Sequence, residues 1–182
     1  MKLPPQAKKV FTGTTFDVYQ WEQEMYDGSF MTYERLHRTG TTDVIAVSGK
    51  SIFLNHQSQP TKPDFYSLFG GRVEKGEEYL AAAKRELLEE SGMQSDSWEL
   101  YKTYQPFHKI DWDVSLYIAK DCKKVTSQKL DAGEKIEILE CTFDEFVKIV
   151  LSEKFLHKEL TTDILRMYYD NTIEDFKKKL LN

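Results

Sequence analysis

The chain has 182 residues, with 30 acidic and 25 basic side chains and a formal charge of −5. That length fits one domain, or one domain with an appended arm, and is enough to build a core without disulfide or metal staples. A composition of 40% hydrophobic and 30% charged residues describes a globular chain rather than a disordered one. The longest apolar run, Tyr79 to Ala83, is too short for a membrane span. The opening MKLPPQAKKV lacks the apolar stretch of a secretory signal. Cys122 and Cys141 belong to no CxxC pair, which argues against a disulfide framework or cysteine zinc site and leads us to expect a reducing cytoplasm. An acidic chain is a poor binder of nucleic-acid backbones, so an anionic substrate would need a local device to hold it.

In chain order, Thr15 to Trp21 and Phe30 to His37 read as strands around the turn Tyr26-Asp27-Gly28-Ser29. Thr42 to Val47 and Ser51 to Asn55 read as two more, joined near Ser48-Gly49-Lys50. Gln57 to Asp64, with two prolines, reads as a loop, and a short strand from Phe65 to Phe69 leads into Gly70-Gly71. Glu77 to Ser91 is rich in strong helix formers and stops at Gly92. Strands follow near Trp98 to Tyr104, Asp113 to Ala119 and Ile136 to Cys141. The C-terminal third is helical, with starts at Thr142-x-x-Glu145, a capping box, and at the looser Thr172-x-x-Asp175. The pattern predicts an α/β sandwich of the α+β type: a mixed sheet, a central helix and C-terminal helices.

The central helix carries the chemistry. With Glu86 set at zero and about 100° per residue, Glu90 falls near 40°, Glu89 near −60° and Arg85 near −100°. Leu87, Leu80, Leu88 and Ala81 fall on the other side, which predicts a packing face there and an acidic face opposite. Like charges at these spacings repel, and they lie near the helix C-terminus, where the dipole disfavours anions. Arg85 offsets part of this through Glu89, four residues on. A divalent cation would offset more, and an all-oxygen donor set points to Mg2+ or Mn2+ rather than zinc. Taken alone, the helix fits either this or a solvated acidic face.

The wider pattern is Gly71-x5-Glu77-x7-Arg85-Glu86-Leu87-x-Glu89-Glu90-x-Gly92-Met93. At roughly 6% usage per residue type, seven specified positions recur by chance about 10⁻⁹ times per start position. The segment is a complete Nudix box, and the sequence resembles the Nudix hydrolases, with the ADP-ribose pyrophosphatases as the nearest subtype. The resemblance implies a Nudix α/β/α sandwich. It also implies Glu86 and Glu90 as metal ligands, Glu89 ligating or assisting, and the Gly70 carbonyl as a further metal contact. Arg85 would orient a glutamate, and Gly71, Glu77 and Gly92 would shape the box. The family cleaves the pyrophosphate of a nucleoside diphosphate linked to another moiety. By the same resemblance Glu134, in the segment Leu130 to Glu137, matches a loop glutamate acting as base or extra ligand, with Asp131 and Glu137 as rivals.

About 70 residues precede the box. Residues 1–40 resemble the N-terminal β-arm of ADP-ribose and nucleoside-diphosphate-sugar pyrophosphatases, which packs across a homodimer and helps close the substrate pocket. Residues 41–182 would then form the Nudix domain. The segment Thr32-Tyr33-Glu34-Arg35-Leu36-His37-Arg38 resembles the strand whose aromatic stacks on adenine and whose arginine contacts the nucleotide. That implies Tyr33 and Arg38 as substrate contacts, with Trp21 as a further one. Pro106 resembles the downstream proline of ADP-ribose pyrophosphatases. The chain departs from many relatives at Phe69, where they carry proline, and at Ser58-Gln59-Pro60, which lacks an arginine that some use to hold ligand. The expectation is an Mg2+-dependent cytoplasmic homodimer that converts ADP-ribose to AMP and ribose 5-phosphate, with no nucleic-acid or membrane partner. The alternatives are the same chemistry on another nucleoside-diphosphate sugar or dinucleotide, and a ligand-sensing module that does not cleave.

Overall fold

The strand Thr41–Ser48 is buried along its whole inner length and covered on both faces. Val44 and Ala46 pack with Phe69, Ala83 and Leu87 on one face. Ile45 and Val47 pack on the other with Phe146, Leu160, Ile164 and Phe176. A run of apolar residues with no polar alternation is what a strand between two helical layers requires. The computed structural model that shows this describes residues 2–130 and 132–182, and all but the side chain of Pro63. Asp131, one of the residues weighed as a base, lies outside the described residues.

In chain order the elements are β1 (Lys8–Thr12), β2 (Asp17–Glu24), β3 (Phe30–His37), β4 (Thr41–Ser48), β5 (Ser51–Gln59), β6 (Lys62–Ser67) and β7 (Phe69–Arg72). Helix α1 (Tyr79–Ser91) follows, then β8 (Met93–Gln94), β9 (Ser97–Tyr104), β10 (Ile110–Asp111), β11 (Val114–Lys120), β12 (Lys123–Lys124) and β13 (Lys135–Cys141). Helices α2 (Phe143–Val150), α3 (Lys158–Tyr169) and α4 (Ile173–Leu181) complete the chain. The main sheet has the order β13-β5-β4-β11-β9, with β6 paired to β5 and β7 to β4. Only β11 and β4 run parallel in it, so the sheet is mixed. Helix α1 covers one face and α2, α3 and α4 the other, which is the expected α/β/α sandwich.

The N-terminal residues form a separate sheet, ordered β1-β2-β3-β10. Its last strand comes from residues 110–111, which pair in parallel with Leu36 and His37. The arm is therefore joined to the main body by a ladder and not by its linker alone. Exposed Val10, Phe11, Phe30 and Met31 lie on this sheet.

Two expectations need correction. Gln57 to Asp64 is not a loop: β5 runs to Gln59 and β6 begins at Lys62. Pro60 sits at the hairpin turn, and β6 pairs in a ladder only with β5, a marginal position where a proline is tolerated. Thr172 does precede α4, but its side chain makes no capping bond. Thr142, by contrast, forms the full reciprocal box with Glu145. Helix α1 ends at Gly92, whose φ of 69° is left-handed and whose N–H donates to the Leu88 carbonyl.

Candidate active site

Helix α1 is rotated from the predicted orientation. Its buried residues are Ala82, Ala83, Leu87, Glu90 and Ser91, whereas Leu80 and Ala81 are exposed. The packing arc is therefore centred between Glu90 and Leu87, and the acidic face turns into the sheet instead of away from it. Glu90 is only 6% exposed, and the Glu86 side chain 14%. The glycines of β7 allow this. A Cβ on Gly71 would lie 2.5 Å from Glu86 Oε1, so a larger residue there would displace the Glu86 carboxylate.

Buried carboxylates need donors. Glu90 Oε2 accepts from Asn55 Nδ2 at 3.0 Å and from the Gly70 N–H at 2.8 Å. Asn55 is fully buried on β5 and also donates to the Leu68 carbonyl at 3.4 Å. Nothing in the local sequence marks Asn55, since the contact spans 35 residues. Two donors on one oxygen leave Glu90 Oε1 as the freer face.

Arg85 ties the rest together. Its Nε and Nη2 donate to Glu77 Oε1 and Oε2, both at 3.0 Å, in a two-pronged pair. Its Nη1 donates to Glu86 at 2.7 Å and Glu89 at 3.1 Å, and Nη2 reaches the Arg72 carbonyl at 3.0 Å. The expected contact with Glu89 is present, but Glu77 is the main partner. These bonds hold Glu77 below the usual carboxylate range and raise Arg85.

Glu86 and Glu90 both shift the other way from Glu77. Burial pushes Glu86 up against the pull of Arg85, and the charges of Glu89 and Glu134 push the same way. Burial pushes Glu90 up to about 8, with Glu86 and Glu134 adding to it and the Gly70 and Asn55 donors opposing it. Glu134 is thus close enough for its charge to act on both ligand candidates. It also borders an open cleft of about 570 Å³ with His56, Asp64 and Glu137. Glu137 itself stands 3.8 Å from His56 Nδ1, on the strand that follows.

These observations bear on a metal. Two crowded, dehydrated carboxylates with raised proton affinity are what a divalent cation would keep ionised, and the donors are hard oxygens. Glu86 and Glu90 would suit a hard cation such as Mg2+ or Mn2+, although among the described residues no three acidic, histidine or cysteine side chains converge on one point.

The substrate candidates divide. Trp21 and Tyr33 are cross-strand partners on the arm sheet, with ring centroids 5.9 Å apart. Trp21 is 7% exposed, and Tyr33 has Lys109 Nζ 5.5 Å from its ring centre. Arg38 lies elsewhere, in the link from β3 to β4. Its guanidinium stacks on Trp112 at 4.5 Å. The geometry joins Glu77, Arg85, Glu86, Glu89, Glu90, Gly70 and Gly71 directly, and adds Glu134 by its field. It leaves Tyr33 and Trp21 on the other sheet. A further pair has no local signal in the sequence: half-buried His157, just before α3, has Nδ1 2.9 Å from Asp43 Oδ2 and makes no side-chain capping bond.

The chain is similar to known proteins in sequence and in fold. A family model described as NUDIX domain matches residues 37–163. An ADP-ribose pyrophosphatase of Bacillus subtilis (strain 168) is 27% identical over 151 residues, covering 81% of this chain and 82% of the relative. A methanol dehydrogenase activator of Bacillus methanolicus is 25% identical over 178 residues, covering 96% of this chain and 95% of the relative. The crystal structure of an ADP compounds hydrolase superposes with a TM-score of 0.72 over 92% of this chain and 93% of that one, at 16% identity, a likeness of fold. The family match spans well over half of the chain and contains the whole box: this chain belongs to the Nudix hydrolase family.

Proposed function

We propose that the chain hydrolyses the pyrophosphate bond of ADP-ribose, giving AMP and ribose 5-phosphate, with Mg2+ as the metal and Mn2+ as a substitute. The observation that carries this reading is the burial of Glu86 and Glu90 on the sheet side of α1, crowded, fixed by donors and joined by the field of Glu134. The similarity to the Bacillus subtilis ADP-ribose pyrophosphatase supports the choice of substrate. When bound, the metal would neutralise the diphosphate and polarise its oxygens. The chain's own residues do the rest. Asn55 and the Gly70 N–H fix the Glu90 carboxylate, Arg85 fixes Glu86 and Glu89, and Gly71 leaves room for the Glu86 carboxylate. Glu134, on the loop before β13, takes the proton of the attacking water. Arg38 and Tyr33 contact the nucleotide, with Trp21 behind Tyr33.

We further place the protein in the cytoplasm as a homodimer, residues 1–40 acting as the arm and 41–182 as the catalytic domain. The apolar side chains left exposed on the arm sheet support this assembly, with Phe11 61% and Phe30 64% exposed. Among the described residues no helix is long and apolar enough to cross a membrane.

Product analysis with Mg2+ tests the activity, offering ADP-ribose beside ADP-glucose, GDP-mannose, NADH and diadenosine polyphosphates. AMP and ribose 5-phosphate at the highest kcat/KM is the expected result. Preference for another compound would retain the chemistry and discard the substrate. Tight binding without cleavage would make the chain a sensor. A second reading comes from the methanol dehydrogenase activator, whose similarity extends over the arm as well. It has the chain stimulate another enzyme, and adding it to a methanol dehydrogenase assay tests that directly.

A further inference from the structure

A helix ends in carbonyls that no later turn satisfies. At the end of α1 the link from β12 to β13 supplies the missing donors. The Gly92 carbonyl accepts from the N–H groups of Val125 at 2.9 Å and Thr126 at 3.2 Å, and the Glu89 carbonyl from that of Lys129 at 2.8 Å. This approach needs a glycine at position 92, where a Cβ would run into the Thr126 carbonyl oxygen. The Glu90 carbonyl takes a side chain instead: Gln128 Nε2 donates to it at 2.6 Å. The same nitrogen also donates to the Ile136 carbonyl in β13 at 3.3 Å. One amide therefore ties the backbone of Glu90 to a residue two places beyond Glu134.

The tie opposes a repulsion. The charge of Glu134 acts on both Glu86 and Glu90, and like charges drive a loop outward unless something holds it. The ladder between β13 and β5 begins at Lys135 and fixes the loop to the sheet. It does not fix the loop to α1, and the Gln128 amide does. We propose that Gln128 is a positioning residue, its two amide hydrogens shared between the Glu90 and Ile136 carbonyls so that the loop carrying Glu134 is held in register with the box helix. This rests on the reading of Glu134 as the base, and it adds a residue whose spacing from the box gives no signal in the sequence.

A double-mutant cycle tests the role, with Mg2+-dependent hydrolysis of ADP-ribose measured for wild type, Gln128→Met, Glu134→Gln and the double variant. Methionine keeps the length and removes both donors. Gln128 is half-buried in a link outside helices and strands, so the variant should fold, as thermal unfolding will show. Gln128→Met should lower kcat about 10-fold, the scale of a slightly misplaced catalytic group, and change KM and Mn2+ affinity by less than about twofold. In the Glu134→Gln background the same change should cost less than about twofold, because no base is left to position. Gln128→Lys keeps a donor on a stem of similar length and should recover part of the rate. Amide exchange at Glu134 and Lys135 should quicken in Gln128→Met while that of β4 stays as in wild type. An undiminished kcat in Gln128→Met, or equal losses in the two backgrounds, would overturn the positioning role and leave the base in place. Wild-type turnover in Glu134→Gln would remove the base and the proposal with it, so the two failures are told apart.

Discussion

The box helix and the arm sheet solve opposite problems. Around α1 Glu77, Glu86 and Glu89 share the single charge of Arg85, and Glu90 takes only the neutral donors Asn55 and the Gly70 N–H. On the arm, β1 is exposed along its whole length and Phe11, Phe30 and Met31 face outward. The first region is complete as a single chain and is under electrostatic load. The second carries little charge strain and leaves apolar surface uncovered. The difference teaches where to look for each function: chemistry in the region that concentrates unfavourable charge, assembly in the region that leaves apolar area bare.

The largest break in this contrast is Glu90→Gln. It should lower kcat by more than about 100-fold, beyond the usual cost of losing a group that merely supports a ligand, in a steady-state assay with Mg2+. The same variant sharpens the electrostatic side. In the metal-free protein burial pushes the Glu90 carboxyl up to about 8 from an ordinary 4.5. Between those values the folded state holds a proton that the unfolded chain has released. Stability should therefore fall as pH rises from about 5 to 8, and Glu90→Gln should flatten that part of the slope in thermal unfolding with EDTA.

Next comes Glu134→Gln, expected to slow turnover by about 100-fold, the lower range for a general base, while metal binding persists. Rates equal to wild type would move the base elsewhere. Asn55→Leu keeps the volume but removes a donor from Glu90. It should weaken Mn2+ binding roughly 10-fold, read by paramagnetic titration. The smallest effect is expected on the arm. Replacing Phe11 and Phe30 with serine should convert a dimer to a monomer in light scattering and raise KM a few-fold, with the box chemistry intact. A wild type that is already monomeric would end the assembly proposal.

Much of this architecture was legible from residues. The third strand falls where it was read, between Phe30 and His37. The Thr142 capping box and the stop at Gly92 are local, and local signals survive folding. What escaped depends on contacts remote in sequence. Apolar periodicity placed the packing face of α1 on Leu80, Ala81, Leu87 and Leu88, of which Leu87 alone is buried, because it counts apolar residues and cannot count donors supplied by another strand. Asn55 and the Gly70 N–H let a glutamate be buried, and the missing side chain at Gly71 leaves room for the Glu86 carboxylate. The Asp43–His157 pair joins residues from opposite ends of the chain and has no local signature. The β5–β6 hairpin was missed because prolines read as loop, though a marginal strand accommodates them.

The account rests on the buried glutamates being a divalent-cation site, and Mn2+ titration of wild type and Glu90→Gln at pH 7, followed by electron paramagnetic resonance with proton release recorded in parallel, addresses this most directly. The wild type should bind Mn2+ and release protons as Glu90 ionises, and the variant should lose both the tight binding and most of the release. Equal Mn2+ affinity in the two proteins, or no binding by the wild type, would contradict it.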